Sequence, residues 1–166
     1  MLTQGTALLV GWLLGAGPSP AAGPLVVTQG DTRAEIAEGE RGLSITLTAG
    51  ARQARWTYDG LSLDPEETGA TDAELVRAGA RRLLLVRAYS GGAHCCWSLL
   101  AFDVAQRKAL GSVLESQRPI ELVEGGADCA LAAIAEPVDR EAGLPAERTL
   151  YCFQRGRFRP RGPAPR

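Results

Sequence analysis

Short segments in which apolar and polar residues alternate recur along this chain, and they constrain its fold more than any other feature. In residues 43–48 the apolar side chains alternate with hydroxyls, and in residues 54–58 apolar and aromatic side chains alternate with polar ones. This period of two is typical of strands with one buried face. Ala49 and Gly50 lie between the two segments and indicate a hairpin. The chain is therefore expected to be mostly β.

Later segments extend this prediction. Residues 83–86 are apolar on both faces, which is typical of a central strand, and residues 97–102 predict the next strand. A polar turn at 103–108 and a return strand at 110–114 complete a second hairpin. Further strands are expected at 120–123, 129–134 and 149–153, and helix-like composition occurs only at 71–78 and 32–38. The pattern predicts an antiparallel, sandwich-like or small curved sheet with at most short helices, and no convincing internal repeat.

The N-terminal segment indicates export. Residues 6–17 are apolar and uncharged, and residues 18–22 supply small side chains for signal-peptidase cleavage. The apolar stretch is too short for a transmembrane helix and is interrupted by glycines. We therefore predict a signal peptide at 1–22, a single β-rich domain at 23–158, and a periplasmic or extracellular location.

Charge gives little indication of a partner. The chain has 18 basic and 19 acidic residues, so a net charge of −1 provides no electrostatic reason to expect nucleic acid. Residues 159–166 form a basic, proline-rich tail that we expect to be solvated and disordered. Contact of this end with an anionic surface such as lipid or polysaccharide is the alternative. The arginines concerned are Arg155, Arg157, Arg159, Arg161 and Arg166.

The cysteines predict a disulfide framework. Four cysteines in an exported chain permit three connectivities. If 129–134 and 149–153 pair as a hairpin, Cys129 and Cys152 fall near opposite positions, which leaves Cys95 to pair with Cys96. In the rival scheme Cys95 and Cys96 point to opposite faces of a strand and each bonds a different partner. The local scheme is slightly favoured, and both remain open.

The segment around the adjacent cysteines is the most concentrated in the chain. Residues 84–96 resemble a signature, SGGAHCC after an apolar strand, found in exported bacterial proteins of uncharacterised function. The resemblance implies export and a β setting for the motif, and it implies no known activity. In similar proteins an aspartate-rich, calcium-type loop precedes this strand. Here residues 68–75 contain one Asp and one Glu, too few for the six to eight oxygens that calcium requires, so no cofactor or metal is predicted.

Several chemistries compete at this motif, whose residues of interest are Ser90, Gly91, Gly92 and His94. A cysteine hydrolase would pair the chain's only histidine with Cys96, and a metal site would add one of the later cysteines. Redox signalling through a strained adjacent disulfide is also coherent. The simplest hypothesis is that His94 hydrogen-bonds a turn while the cysteines form disulfides. No catalytic residue is assigned, because the G-x-S-x-G pattern of serine hydrolases is absent around Ser90.

These observations favour an exported, disulfide-stabilised β domain that acts as a binding or envelope-associated module with an unknown ligand. The alternative is a secreted thiol, redox or Cys/His-dependent enzyme centred on His94, Cys95 and Cys96. We favour the non-enzymatic hypothesis, because the chain offers no second histidine to act as a base or metal ligand.

Overall fold

A computed structural model describes residues 23–63, 72–91, 96–126, 128–137 and 147–165. These residues form twelve strands and no helix. The strands make three four-stranded antiparallel sheets, and within each sheet neighbouring strands are consecutive in the chain. The predicted antiparallel β class is confirmed. Within the same ranges no helix is long and apolar enough to cross a membrane.

The first sheet is a meander whose strands are β1 (Leu25–Gln29), β2 (Thr32–Gly39), β3 (Gly42–Ala49) and β4 (Arg52–Asp59). Its β3–β4 hairpin turns at the predicted place, with Ala49 opposite Arg52. The helix-like composition of residues 32–38 gave a wrong expectation, because this segment is β2. Thr32, Ala34 and Ile36 are buried at alternate positions, so pairing and burial outweigh the helix propensity of its Ala and Glu residues.

The second sheet contains β5 (Ala73–Ala78), β6 (Arg81–Tyr89), β7 (Trp97–Asp103) and β8 (Lys108–Ser116). Strand β6 lies inside the sheet and pairs with both β5 and β7, as its apolar run predicts. The helix-like composition of residues 71–78 is again misleading, because Ala73–Ala78 pairs along its whole length with β6. Tertiary pairing overrides local propensity here as well.

The third sheet contains β9 (Glu121–Val123), β10 (Ala132–Ala135), β11 (Thr149–Gln154) and β12 (Arg157–Pro163). Strand β10 begins three residues later than expected, because the Cys129 amide donates to the Gly126 carbonyl at 2.9 Å and holds a turn there. The C-terminal segment also differs from the expectation. Residues predicted to be a frayed tail belong to β12, which pairs with β11 because Phe158 opposes Phe153 and both rings are buried.

The sheets stack in three layers, with the second sheet in the middle. Along β6, Leu84 and Val86 pack against the first sheet, whereas Leu83 and Leu85 pack against the third. Both faces of β6 and β7 are therefore buried, which explains their nearly continuous apolar sequences. The second sheet is therefore the central layer, and the motif between β6 and β7 connects two of its buried strands.

Arg87 fastens the middle layer to the third. It lies on β6 with only 7% of its surface exposed. Its Nε donates to the Ile120 carbonyl at 3.0 Å, and its guanidinium forms an ion pair with Glu74 at 2.9 Å. A buried guanidinium needs such partners, because an unpaired charge in the interior is costly. This arginine is therefore part of the scaffold.

Candidate functional site

The Ser90–Cys96 motif forms the connection between β6 and β7, the two central strands of the middle sheet. Tyr89 pairs with Trp97 as the last residues of the ladder, and their rings lie 5.0 Å apart. The predicted motif residues Gly92, His94 and Cys95 lie outside the described residues. Ser90, Gly91 and Cys96 are described, and they define the base of this connection.

Ser90 and Cys96 close the base of the connection. The Ser90 amide donates to the Cys96 carbonyl at 3.1 Å, and the Cys96 amide donates to the Ser90 hydroxyl oxygen at 3.1 Å. The hydroxyl also lies 3.4 Å from the Cys96 carbonyl oxygen. Gly91 follows at a φ of 71°, a conformation that favours glycine. The Ser90 side chain thus holds the turn, which agrees with the absence of a serine-hydrolase pattern.

A second segment supports the same turn from the side. Ser62 and Tyr89 exchange two backbone hydrogen bonds, each of 2.8 Å, as an isolated antiparallel bridge. The Ser62 hydroxyl also donates to the Tyr89 carbonyl at 3.2 Å. The chain that follows β4 is therefore attached to the end of β6, and the base of the motif is anchored by backbone groups.

Disulfide chemistry accounts for every described cysteine. Cys129 and Cys152 are bonded to each other with a Cα separation of 5.6 Å, which confirms the predicted pair. The predicted position within the hairpin is wrong, because Cys152 opposes Ala132 and Cys129 precedes β10. Cys96 is half-buried and also disulfide-bonded. Its predicted bond to Cys95 remains a prediction, since Cys95 lies outside the described residues.

The Cys129–Cys152 bond fastens the β9–β10 connection to β11. Cys152 is fully buried on β11. A close backbone approach shapes the connection, because a Cβ on Gly125 would lie 1.4 Å from the Cys129 carbonyl oxygen. Glycine is therefore required at this position, whereas a Cβ on the neighbouring Gly126 would meet nothing within 4 Å. The sequence predicts the bond but not this constraint.

The described residues do not assemble a metal site. In the ranges that the structure covers, no group of three or more His, Cys, Asp or Glu side chains is placed to hold a metal ion. The later cysteines, which a Cys/His site would need, are bonded to each other. The chemistry available at the described part of the motif is hydrogen bonding and disulfide formation.

A groove between the first and second sheets is a concave surface that the sequence did not reveal. It has a volume of about 980 Å³ and lies between the β2–β3 end of the first sheet and the surface of β7 and β8. Its apolar lining residues are Ala37, Leu43, Leu61 and Leu100, and the lining hydroxyls belong to Ser44, Thr57, Tyr58 and Ser98. No spacing rule could have identified it, because its lining comes from five separate strands and two connections.

The hydroxyls of Ser98 and Tyr58 lie against the floor of this groove, where a ligand can reach them. Ser98 is buried with 8% of its surface exposed, and within the described ranges its hydroxyl makes no hydrogen bond. The Tyr58 hydroxyl likewise has no hydrogen-bond partner among those residues. A tyrosine phenol is protonated at neutral pH and can donate, and burial raises the pKa of Tyr58 further from neutrality. The Tyr58 ring packs edge-on against Phe102 with a centroid distance of 6.1 Å, which fixes its orientation.

Charged side chains form the rim of the groove and are partly engaged with one another. Arg41 pairs with Asp59 at 2.9 Å, and the Arg55 Nε donates to the Ser44 hydroxyl at 2.9 Å. The Arg41 and Asp59 side chains are largely exposed, so this pair contributes little to stability. The rim therefore carries both signs of charge around an apolar floor with two hydroxyls, which suits a polar ligand with one apolar face.

Comparisons of the chain with family models, with curated proteins and with solved structures gave no match.

Proposed function

We propose that this protein is an exported, disulfide-stabilised binding or envelope-associated module that holds a polar ligand in the groove between its first two sheets. The observation that carries the proposal is the pair of hydroxyls, on Ser98 and Tyr58, that lie without hydrogen-bond partners among the described residues beside an apolar floor. A ligand that bonds both hydroxyls gains affinity, since each such hydrogen bond contributes about 0.5 to 1.5 kcal/mol.

Sulfur chemistry supports binding over catalysis. A thiol nucleophile must be reduced, whereas Cys96, Cys129 and Cys152 are all disulfide-bonded. The alternative enzyme, centred on His94, Cys95 and Cys96, therefore requires the bond at Cys96 to be reduced. Titration of free thiols in protein purified from an oxidising compartment distinguishes the two hypotheses. We expect no free thiol in the folded chain; one titratable thiol, together with loss of a measured activity in His94→Ala, would favour the enzyme.

Export is part of the proposal, and the apolar segment with small residues after it supports it. Disulfides form and persist mainly in oxidising compartments outside the cytosol, so the Cys129–Cys152 bond supports this location. The intact mass of the protein recovered after export gives a direct test. We expect cleavage between residues 21 and 23; retention of the N-terminal segment would remove the support for an oxidising compartment.

The groove is tested by removing the Tyr58 and Ser98 hydroxyls without changing its shape. The probe is the material that the unmodified protein retains from an envelope extract. Tyr58→Phe and Ser98→Ala each delete one potential hydrogen bond, so each variant should bind this material about three- to tenfold more weakly. Tyr151→Phe is the matched control, because Tyr151 is also partly buried but lies on β11, away from the groove. Unchanged binding in the Tyr58 and Ser98 variants would show that this groove is not the binding surface.

A further inference from the structure

The terminal strand of the third sheet, β12, presents a series of exposed arginines. Arg157, Arg159 and Arg161 are exposed on this strand, and Arg155 is exposed at the turn that precedes it. Arg157 and Arg159 are alternate residues, about 6.6 Å apart along the strand. Arg161 is the extra residue of a β-bulge opposite the step from Leu150 to Tyr151, so it continues the series without strictly regular spacing. Phe158 points into the core between them, which fixes the strand while the arginines face outward.

These arginines differ from most others in the chain because no carboxylate neutralises them. Seven arginines elsewhere form ion pairs, namely Arg33, Arg41, Arg81, Arg82, Arg87, Arg118 and Arg148. Across the described ranges, none of the four arginines at 155, 157, 159 and 161 contacts an acidic side chain. The nearly neutral protein therefore carries a local line of uncompensated positive charge at this edge.

The turn before β12 gives a second, independent observation. Arg155 has a φ of 52° and is followed by Gly156 with a φ of 85°, so both central residues of this two-residue hairpin loop are left-handed. Such loops favour Asn or Asp before Gly, because a longer side chain is strained in this conformation. The chain therefore places a guanidinium at a position where Asn would be less strained, directly before the arginines of β12.

The features of this edge also restrict its partner. Pro160 and Pro163 remove backbone donors from β12, which makes addition of another strand unfavourable. The only large hydrophobic side chain that is exposed among the described residues is Val26, on the first sheet, so no apolar anchor for a bilayer lies here. For the same reason the edge has no exposed aromatic ring on which nucleic-acid bases could stack.

We propose that β12 binds a linear anionic polysaccharide, with the guanidinium groups of Arg155, Arg157, Arg159 and Arg161 contacting successive carboxylate or sulfate groups. A single row of charge on a strand edge matches a chain-like polyanion, and planar guanidinium groups bind such oxyanions in a bidentate manner. This surface is separate from the groove, which lies on the opposite side of the middle sheet, and the proposal does not depend on a ligand there.

Alginate oligomers, which carry one carboxylate on every sugar, are the probe, and affinity is measured against salt concentration with the full protein. Replacing Arg157, Arg159 and Arg161 together with Gln should weaken binding by at least about tenfold at 50 mM salt and should reduce the slope of log K against log salt by about 2. These side chains are exposed, so the melting temperature should not change. Absence of salt-dependent alginate binding by the unmodified protein would overturn the proposal.

The matched control removes the same charge elsewhere. Arg52, Arg77 and Lys108 are exposed and without ion pairs among the described residues, so their joint replacement by Gln lowers the net charge equally. We expect this control to change alginate affinity by less than about twofold. Equal losses in the two triple variants would show that net charge alone is responsible, and would overturn a site at β12.

The turn offers a sharper test. Arg155→Asn should raise the melting temperature, because Asn tolerates the left-handed conformation, while it weakens alginate binding by about threefold. Arg107 also has a left-handed φ, 49°, so Arg107→Asn should raise the melting temperature without affecting binding. The polysaccharide assignment is wrong if Arg155→Asn leaves alginate binding intact. It is also wrong if β12 binds a DNA duplex, or vesicles of phosphatidylcholine and phosphatidylglycerol, more tightly than alginate.

Discussion

The Cys129–Cys152 disulfide provides the most quantitative prediction, because the size of the loop that it closes is known. The two residues are 23 positions apart. Closing a loop of that size restricts the unfolded chain by about 3.4 kcal/mol at 25 °C in the chain-entropy description. The double variant Cys129→Ala and Cys152→Ala should therefore lose about 3 kcal/mol of unfolding free energy. For a domain of this length, that loss corresponds to a decrease of about 10 °C in melting temperature.

Urea unfolding under oxidising conditions measures this loss directly, with the midpoint and the slope fitted separately. Adding a reductant to the double variant isolates the contribution of the bond at Cys96. If that bond joins Cys95, it closes a very small loop, and the reductant should change stability little. A loss below about 1 kcal/mol in the double variant would refute the loop-entropy reasoning, because it would mean that the β9–β10 connection is held equally well without the bond.

Two further perturbations test the packing of the scaffold. Gly125→Ala should destabilise the protein by more than about 2 kcal/mol and lower the yield of the Cys129–Cys152 disulfide. The control variant Gly126→Ala should fold normally. An equal disulfide yield of the two variants in peptide mapping would contradict the close approach at Gly125. Burial raises the pKa of Tyr58 above 10.0, so the unfolded state releases this proton first and stability falls as the pH rises through that value. In Tyr58→Phe the urea midpoint should therefore decrease less as the pH rises. An unchanged pH dependence of the midpoint would refute this prediction.

Much of the fold follows from local sequence because its strands pair with neighbours. The alternating segments at 43–48 and 54–58 and the apolar run at 83–86 all predict their strands correctly, since each pattern directly reports which faces are buried. The helix predictions for residues 32–38 and 71–78 are wrong for a physical reason. Their Ala, Glu and Arg residues favour helices in isolation, but each segment is held as a strand by pairing with a flanking strand, which is a tertiary effect.

The candidate sites were less accessible from sequence. The Cys129–Cys152 pair could be predicted, because two cysteines flanking a probable hairpin have few alternatives, although the three-residue offset of Cys129 from β10 could not. The groove hydroxyls of Ser98 and Tyr58 lie 40 residues apart and meet only when the sheets stack. The arginines of β12 were visible as a cluster, yet proline-rich composition suggested disorder, since the pairing that orders this strand comes from β11.

The meander arrangement of the three sheets has a consequence for how the chain folds. Each strand pairs only with strands adjacent in sequence, so the backbone ladder of each sheet requires few contacts between distant residues. Such local topology favours fast formation of individual sheets for a β protein. The slow step is then the docking of preformed layers, and the middle layer exposes apolar side chains on both faces until the other two have docked. During synthesis from the N-terminus, that exposure lasts until β9–β12 has been made, so the middle layer is the part of the fold most prone to aggregation.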